Sequence, residues 1–129
     1  MIDLGHSKIT ELENGLVEII CKDEFMYDIE QITENHSVLE KISQKKGEPI
    51  LVYSVTGKYT GITSEASYYV NQGPHASFIR AEAFIIHSTT QRLLASLYFI
   101  KIRKPVVPAA YFTKVTDAEH WLMKFRIKK

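Results

Sequence analysis

Cys21 is the only cysteine in 129 residues, so neither an internal disulfide nor a multi-cysteine metal site can form. A lone cysteine inside an apolar run is expected to be a small buried residue; Lys22 is the only neighbour that would activate it. No run approaches the ~18 apolar residues a membrane span needs. The start, Met1 to His6, lacks the basic segment and long apolar stretch of a secretory signal, so a cytoplasmic location is expected. No internal repeat and no low-complexity segment occurs. Charge of one sign is also missing: 16 Lys+Arg stand against 15 Asp+Glu, for a net charge of +1. That excludes a basic coat for nucleic acid and an acidic solvating tail. Neither a nucleic-acid partner nor a transmembrane segment is expected.

What is present is an ordinary globular composition, 45% hydrophobic and 24% charged. The length fits a single domain over residues 1–129 with its core at about 9–125, enough to bury roughly two thirds of the unfolded surface. The neutral balance is a cancellation. Residues 1–48 carry 11 acids and 5 bases, a net of −6, and residues 101–129 carry 8 bases and 2 acids, a net of +6. The basic tail is expected to answer the acidic part within the fold or across a dimer.

Ser7 to Cys21 reads as two strands around Glu13-Asn14-Gly15, because Asn-Gly is the strongest short hairpin signal. Phe25-Met26-Tyr27 is a brief extended piece. Asp28 is placed as an N-cap, followed by a helix to about Lys46 with Ile29, Ile32, Val38, Leu39 and Ile42 on one face, and Gly47 stops it. Pro49 to Val55 is a continuous apolar run, the mark of an interior strand covered on both faces. A loop from Gly57 to Gly61 precedes a short helix from Thr63 to about Gln72, burying Ala66, Tyr69 and Val70 and ended by Gly73-Pro74. A strand at Ala81–His87, a helix from about Thr89 to Lys101 and a strand at Pro108–Phe112 follow. Thr116 to Glu119 reads as a capping box that opens a last helix with Ala118, Trp121, Leu122 and Phe125 as its stripe. The expected fold is α/β, an open, mostly parallel sheet with an N-terminal β-hairpin and about four helices.

From about Ile9 to Phe125 this pattern resembles the SpoIIAA-like family, which shares its fold with STAS domains. The likeness rests on the opening hairpin, the strand Ile50 to Val55 with its Gly-containing loop, and the strand Ala81 to Ile86. It rests equally on the tail, Tyr111-Phe112-Thr113 followed by Asp117-Ala118-Glu119-His120-Trp121-Leu122. The resemblance implies a small bacterial non-enzymatic module that works through protein contacts and is often a homodimer. In anti-anti-sigma members a Ser or Thr at the start of the second helix is phosphorylated; the matching place here holds Thr63 and Ser64, without the family's Asp-Ser-Gly pattern.

Ligands of such sheets usually meet loops at the carboxyl ends of the strands, and the loop Thr56 to Ser64 is the first candidate. Lys58, Tyr59, Thr60, Thr63 and Ser64 form its interaction or phospho-acceptor set. Phosphate at Thr63 or Ser64 would meet free N–H groups and the positive end of a helix dipole; the bland alternative is a plain N-cap at Thr63. Gly57, Lys58 and Gly61 do not make a Walker A loop. A second reading is a small-molecule or lipid pocket near the same loop, lined by Tyr59, Ile62, Tyr68 and Phe78. The histidines His6, His36, His75, His87 and His120 include no i, i+4 zinc pair. His87 and Ser88, adjacent on a strand, point to opposite faces and do not serve one another. No catalytic residue, metal or cofactor is expected.

Overall fold

The computed structural model describes residues 1–87 and 107–126. Its strands are β1 (Ile2–Asp3), β2 (Ser7–Glu11), β3 (Val17–Cys21), β4 (Met26–Tyr27), β5 (Ile50–Val55), β6 (Gly61–Ile62), β7 (Ile79–Ile85) and β8 (Ala109–Phe112). Three helices lie among the described residues: α1 (Ile29–Lys46), α2 (Ser64–Asn71) and α3 (Val115–Met123). The helix expected at 89–101 lies outside the described residues. The fold is α/β, with a mixed, mostly parallel six-stranded sheet in the order β1-β2-β3-β5-β7-β8. β1, β2 and β3 run antiparallel to their neighbours within the hairpin unit, and β3, β5, β7 and β8 pair in parallel.

The hairpin forms where Asn14-Gly15 places it. Gly15 takes φ +88°, a left-handed turn position open to glycine, and Asn14 Oδ1 accepts the Leu16 N–H at 3.0 Å. α1 starts at its cap: Asp28 Oδ1 accepts from Ile29 N at 2.9 Å, and Gln31 Oε1 accepts from Asp28 N at 3.0 Å. It ends at Gly47, whose φ of +76° lets its N–H reach Ser43 O at 2.8 Å.

β5 is the interior strand its apolar run implies. Ile50 and Val52 pack with Ile9, Val17 and Ile19 under Leu39 and Ile42 of α1. Leu51 and Tyr53 face the other way and pack with Ala81, Ala83 and Ile85 under Ala118 and Leu122 of α3. The two clusters bury the sheet from opposite sides, and burial of this kind supplies the main folding force.

Several expectations need correction. Thr116 does not cap α3. The helix begins at Val115, half-buried against the second cluster, so Thr116 already has a helical position and Lys114 is the N-cap without a side-chain bond. Glu119 accepts instead from Asn14 Nδ2 at 2.8 Å, tying α3 to the hairpin turn. Ile29 is exposed and Asn35 is buried on α1, where Asn35 Nδ2 donates to Ser7 Oγ. Tyr69 and Val70 are only half-buried. The strand expected from Ala81 starts two residues earlier, at Ile79, where it pairs with Ile50. The extended piece at Met26–Tyr27 leaves the main sheet and pairs in parallel with β6 as a separate two-stranded ribbon.

Candidate functional site

The loop between β5 and α2 is tied down along its whole length. Segment 22–28 turns away from β3 through Glu24, a non-glycine residue at φ +52°, and runs alongside the loop. Lys58 O accepts from Glu24 N at 2.7 Å, and Lys58 N donates to Asp23 Oδ1 at 2.7 Å. Thr60 Oγ1 donates to Lys22 O at 2.8 Å and accepts from Gly57 N at 2.8 Å. Gly61 N donates to Phe25 O at 3.0 Å, and Thr63 N to Tyr27 O at 2.9 Å. Gly57 lies directly against Asp23: a Cβ there would sit 2.9 Å from Asp23 Cα and N, so only glycine fits.

Thr63 is the N-cap of α2, and its hydroxyl is fully used. It accepts from Ala66 N at 3.1 Å and donates to Asp28 Oδ1 at 2.8 Å. These bonds to Ile29 N and Thr63 also hold the Asp28 carboxyl below its ordinary range. Thr60 is committed in the same way. Ser64, exposed at the first helical position, has no such bond among the described residues.

On this rigid base the loop and ribbon turn apolar side chains outward. Tyr59 is 72% exposed, Tyr68 66%, Met26 58% and Ile62 48%. Met26 lies over Gly61, its sulfur 3.1 Å from where a Cβ would be. Tyr59 has φ +58°, a left-handed backbone for a residue with a Cβ, and its ring lies beside the Lys58 ammonium at 5.7 Å. Of the four residues first grouped as a pocket, Tyr59, Ile62 and Tyr68 are thus exposed, while Phe78 is buried in the α1-side core beside His36.

Beneath the ribbon sits a buried hydroxyl network that sequence reasoning missed. Ser7 Oγ lies 2.9 Å from His6 Nδ1, 3.0 Å from Tyr27 OH and 3.2 Å from Asn35 Nδ2. Tyr27 OH donates to His6 O and accepts from Lys22 N at 3.2 Å. One arrangement of protons satisfies both hydroxyls. Asn35 and His6 Nδ1–H donate to Ser7, Ser7 donates to Tyr27, and Tyr27 donates to the His6 carbonyl. His6 Nε2 faces Glu34 at 3.6 Å. The Ser-His-Glu composition has the parts of a nucleophile, a base and an orienting acid. Ser7, however, is 1% exposed with every hydrogen-bonding capacity filled, so the arrangement holds structure. Burial pushes the adjacent Cys21 thiol up to about 11 despite its bond with Tyr27, which keeps it protonated and unreactive at neutral pH.

A second polar cluster lies on the other flank of α1. His36 and His75 face one another with ring centroids 5.4 Å apart, packed by Tyr69 and Phe78. His75 Nε2 is 3.6 Å from Glu82 Oε1. Neither Nδ1 has a hydrogen-bond partner among the described residues. Burial, and then the His75 charge, bring the His36 pKa down to about 4. A groove of about 260 Å³ opens beside His36, with Thr33, Glu40 and Pro74 on its walls. Among the described residues no group of three or more His, Cys, Asp or Glu is placed to hold a metal, and no helix is long and apolar enough to cross a membrane.

Fold and surface together define a small α/β protein whose most elaborated feature is a preformed loop and ribbon at the carboxyl end of its sheet. Residues 10–126 match the family model described as Domain of unknown function (DUF7793), and the chain belongs to that family. No curated protein and no solved structure matches it.

Proposed function

We propose that the chain is a non-enzymatic protein-interaction or regulatory module of the SpoIIAA-like, STAS-like type, acting as a homodimer through the loop and ribbon around Tyr59. The observation that carries this reading is the state of Tyr59. A left-handed backbone costs a residue with a Cβ about 1 kcal/mol, and at 72% exposure the side chain recovers little of it by burial. Glycine would take this conformation without strain. A large aromatic kept at such a position, on a loop that its hydrogen bonds make rigid, is poised for contact with another surface. Met26 and Ile62 extend the apolar area beside it. Lys58 supplies a charge at its edge.

Ser64 is the hydroxyl of this surface free to take a phosphate, since those of Thr60 and Thr63 are engaged. Phosphate there would meet the N-terminal end of α2 and the repulsion of Glu65 and Asp28, a local charge change suited to switching a contact. The geometry favours contact over a pocket at this loop, because Tyr59, Ile62 and Tyr68 face outward and Phe78 belongs to the core.

Sedimentation velocity on wild type and Ile62→Lys tests the reading. A dimer that becomes a monomer of unchanged circular dichroism supports it; a wild-type monomer at all concentrations, or a variant that dimerises equally, removes it.

A further inference from the structure

At the other end of the sheet, where the parallel strands begin, four chain segments enclose a cleft of about 300 Å³. The hairpin turn, the α1–β5 junction, the start of β7 and the turn after α3 each contribute one wall. Leu16, Ile50 and Leu51, all buried core residues, form an uncharged floor. The walls carry Lys46, Arg80 and Arg126, with Glu48 as the sole acid.

Lys46 has a local reason to be there: it sits in the last turn of α1, where a cation complements the helix dipole. Its ammonium donates to Gly15 O at 2.8 Å, which fixes it over the hairpin turn with further N–H donors to spare. Arg80, on β7, has no such reason, and Arg126 lies past the C-cap of α3 rather than in its last turn. Neither guanidinium has a hydrogen bond or ion pair with any described residue, and Glu48 pairs with none of the three. Cations brought from three separate elements into one recess repel one another more strongly than on an open surface. The surplus over Glu48 is two positive charges. A phosphate monoester carries about −1.5 to −2 charges at neutral pH and offers oxygens that match the Arg fork. The volume stands at the lower limit of small-ligand sites and leaves room beyond a phosphate group. The polar Asn14–Gly15 wall suits a small hydroxylated organic part, with the buried Leu16, Ile50 and Leu51 closing the cleft beneath it.

We infer that this cleft binds a small phosphate monoester, its phosphate held by Arg80, Arg126 and Lys46 and its uncharged part seated over Leu16, Ile50 and Leu51. The inference is independent of the contact surface around Tyr59, which lies at the opposite end of the strands. Isothermal titration of the full chain with glycerol phosphate, inorganic phosphate and glycerol, at constant ionic strength, tests it. Glycerol phosphate is expected to bind saturably at one site, inorganic phosphate more weakly, and glycerol not at all. Arg80→Gln and Arg126→Gln should each weaken glycerol phosphate about tenfold or more, the loss of a charge-assisted hydrogen bond. Lys58→Gln, at the far end, should leave binding unchanged. Added sodium chloride should weaken binding to wild type, a readout that needs no variant. Absence of saturable glycerol phosphate binding, or binding unaffected by both arginine changes, overturns the site. Inorganic phosphate binding as tightly as glycerol phosphate overturns the assignment of the organic part.

Discussion

Asn35 and His36 are neighbours on α1 and lie on opposite flanks of the helix in two different kinds of polar cluster. Asn35 donates into the hydroxyl network of Ser7 and Tyr27, where both hydroxyls use every donor and acceptor. Around those hydroxyls only Asn35 Oδ1 and His6 Nε2 have no hydrogen-bond partner among the described residues, whereas His36 faces His75 with an unpartnered Nδ1 on each ring and no hydroxyl between them, under a groove open to solvent. The difference teaches what each cluster does for the surface near it. Tyr27 is part of β4, so the Ser7 network anchors the ribbon from below and makes the Tyr59 loop rigid. The histidine pair anchors nothing comparable, and burial there disfavours the charged form of His36.

The sharpest way to separate the clusters is acid. His36 binds its proton near 4 in the folded chain and near its ordinary 6.5 when unfolded. The unfolded state therefore holds more protons between those values. Stability from this group is fully present above about pH 6.5, declines as the pH falls, and is lost below about 4. The shift corresponds to at most ~3 kcal/mol. Urea denaturation across this window should show the decline, and His36→Phe should flatten it.

Next in size is Tyr27→Phe. It removes the acceptor for Ser7 and Lys22 N–H and the donor to His6 O, and should cost about 2 kcal/mol at neutral pH by urea denaturation. The same change should raise hydrogen exchange at the Gly61 and Thr63 amides, which bond to segment 25–27. The smallest effect is expected from His36→Phe at neutral pH. Removing an imidazole with an unpartnered nitrogen in favour of an apolar ring should leave stability within about 1 kcal/mol of wild type. A His36→Phe loss as large as that of Tyr27→Phe would erase the contrast between the clusters.

Much of the frame was legible because its signals are local. Asn14-Gly15 marks the hairpin, Asp28 and Gly47 bound α1, and the apolar run at Ile50–Val55 marks the central strand. Each depends on residues close together in the chain. Thr116 and Glu119 have the spacing of a capping box, but α3 starts one position earlier, at Val115, which packs against the second cluster. That a loop joins β5 to α2 is legible, but its rigidity is not: the bonds holding it are mostly backbone contacts to segment 22–28. Gly57 was a usable sign, since a glycine in a loop often marks close approach of another chain segment. Nothing in the spacing of His6, Tyr27 and Asn35, or of Lys46, Arg80 and Arg126, announces that the fold brings them together. A left-handed tyrosine is likewise invisible to reasoning that assigns such positions to glycine and asparagine.

Tyr59→Gly tests the role of the loop most directly, with unfolding by urea at a concentration where both proteins are monomeric, and sedimentation velocity at higher concentration. Relief of the backbone strain should make the variant about 1 kcal/mol more stable, and loss of the aromatic ring should abolish the dimer. A variant less stable than wild type, or one that dimerises as wild type does, would contradict a tyrosine held in strain for the sake of contact.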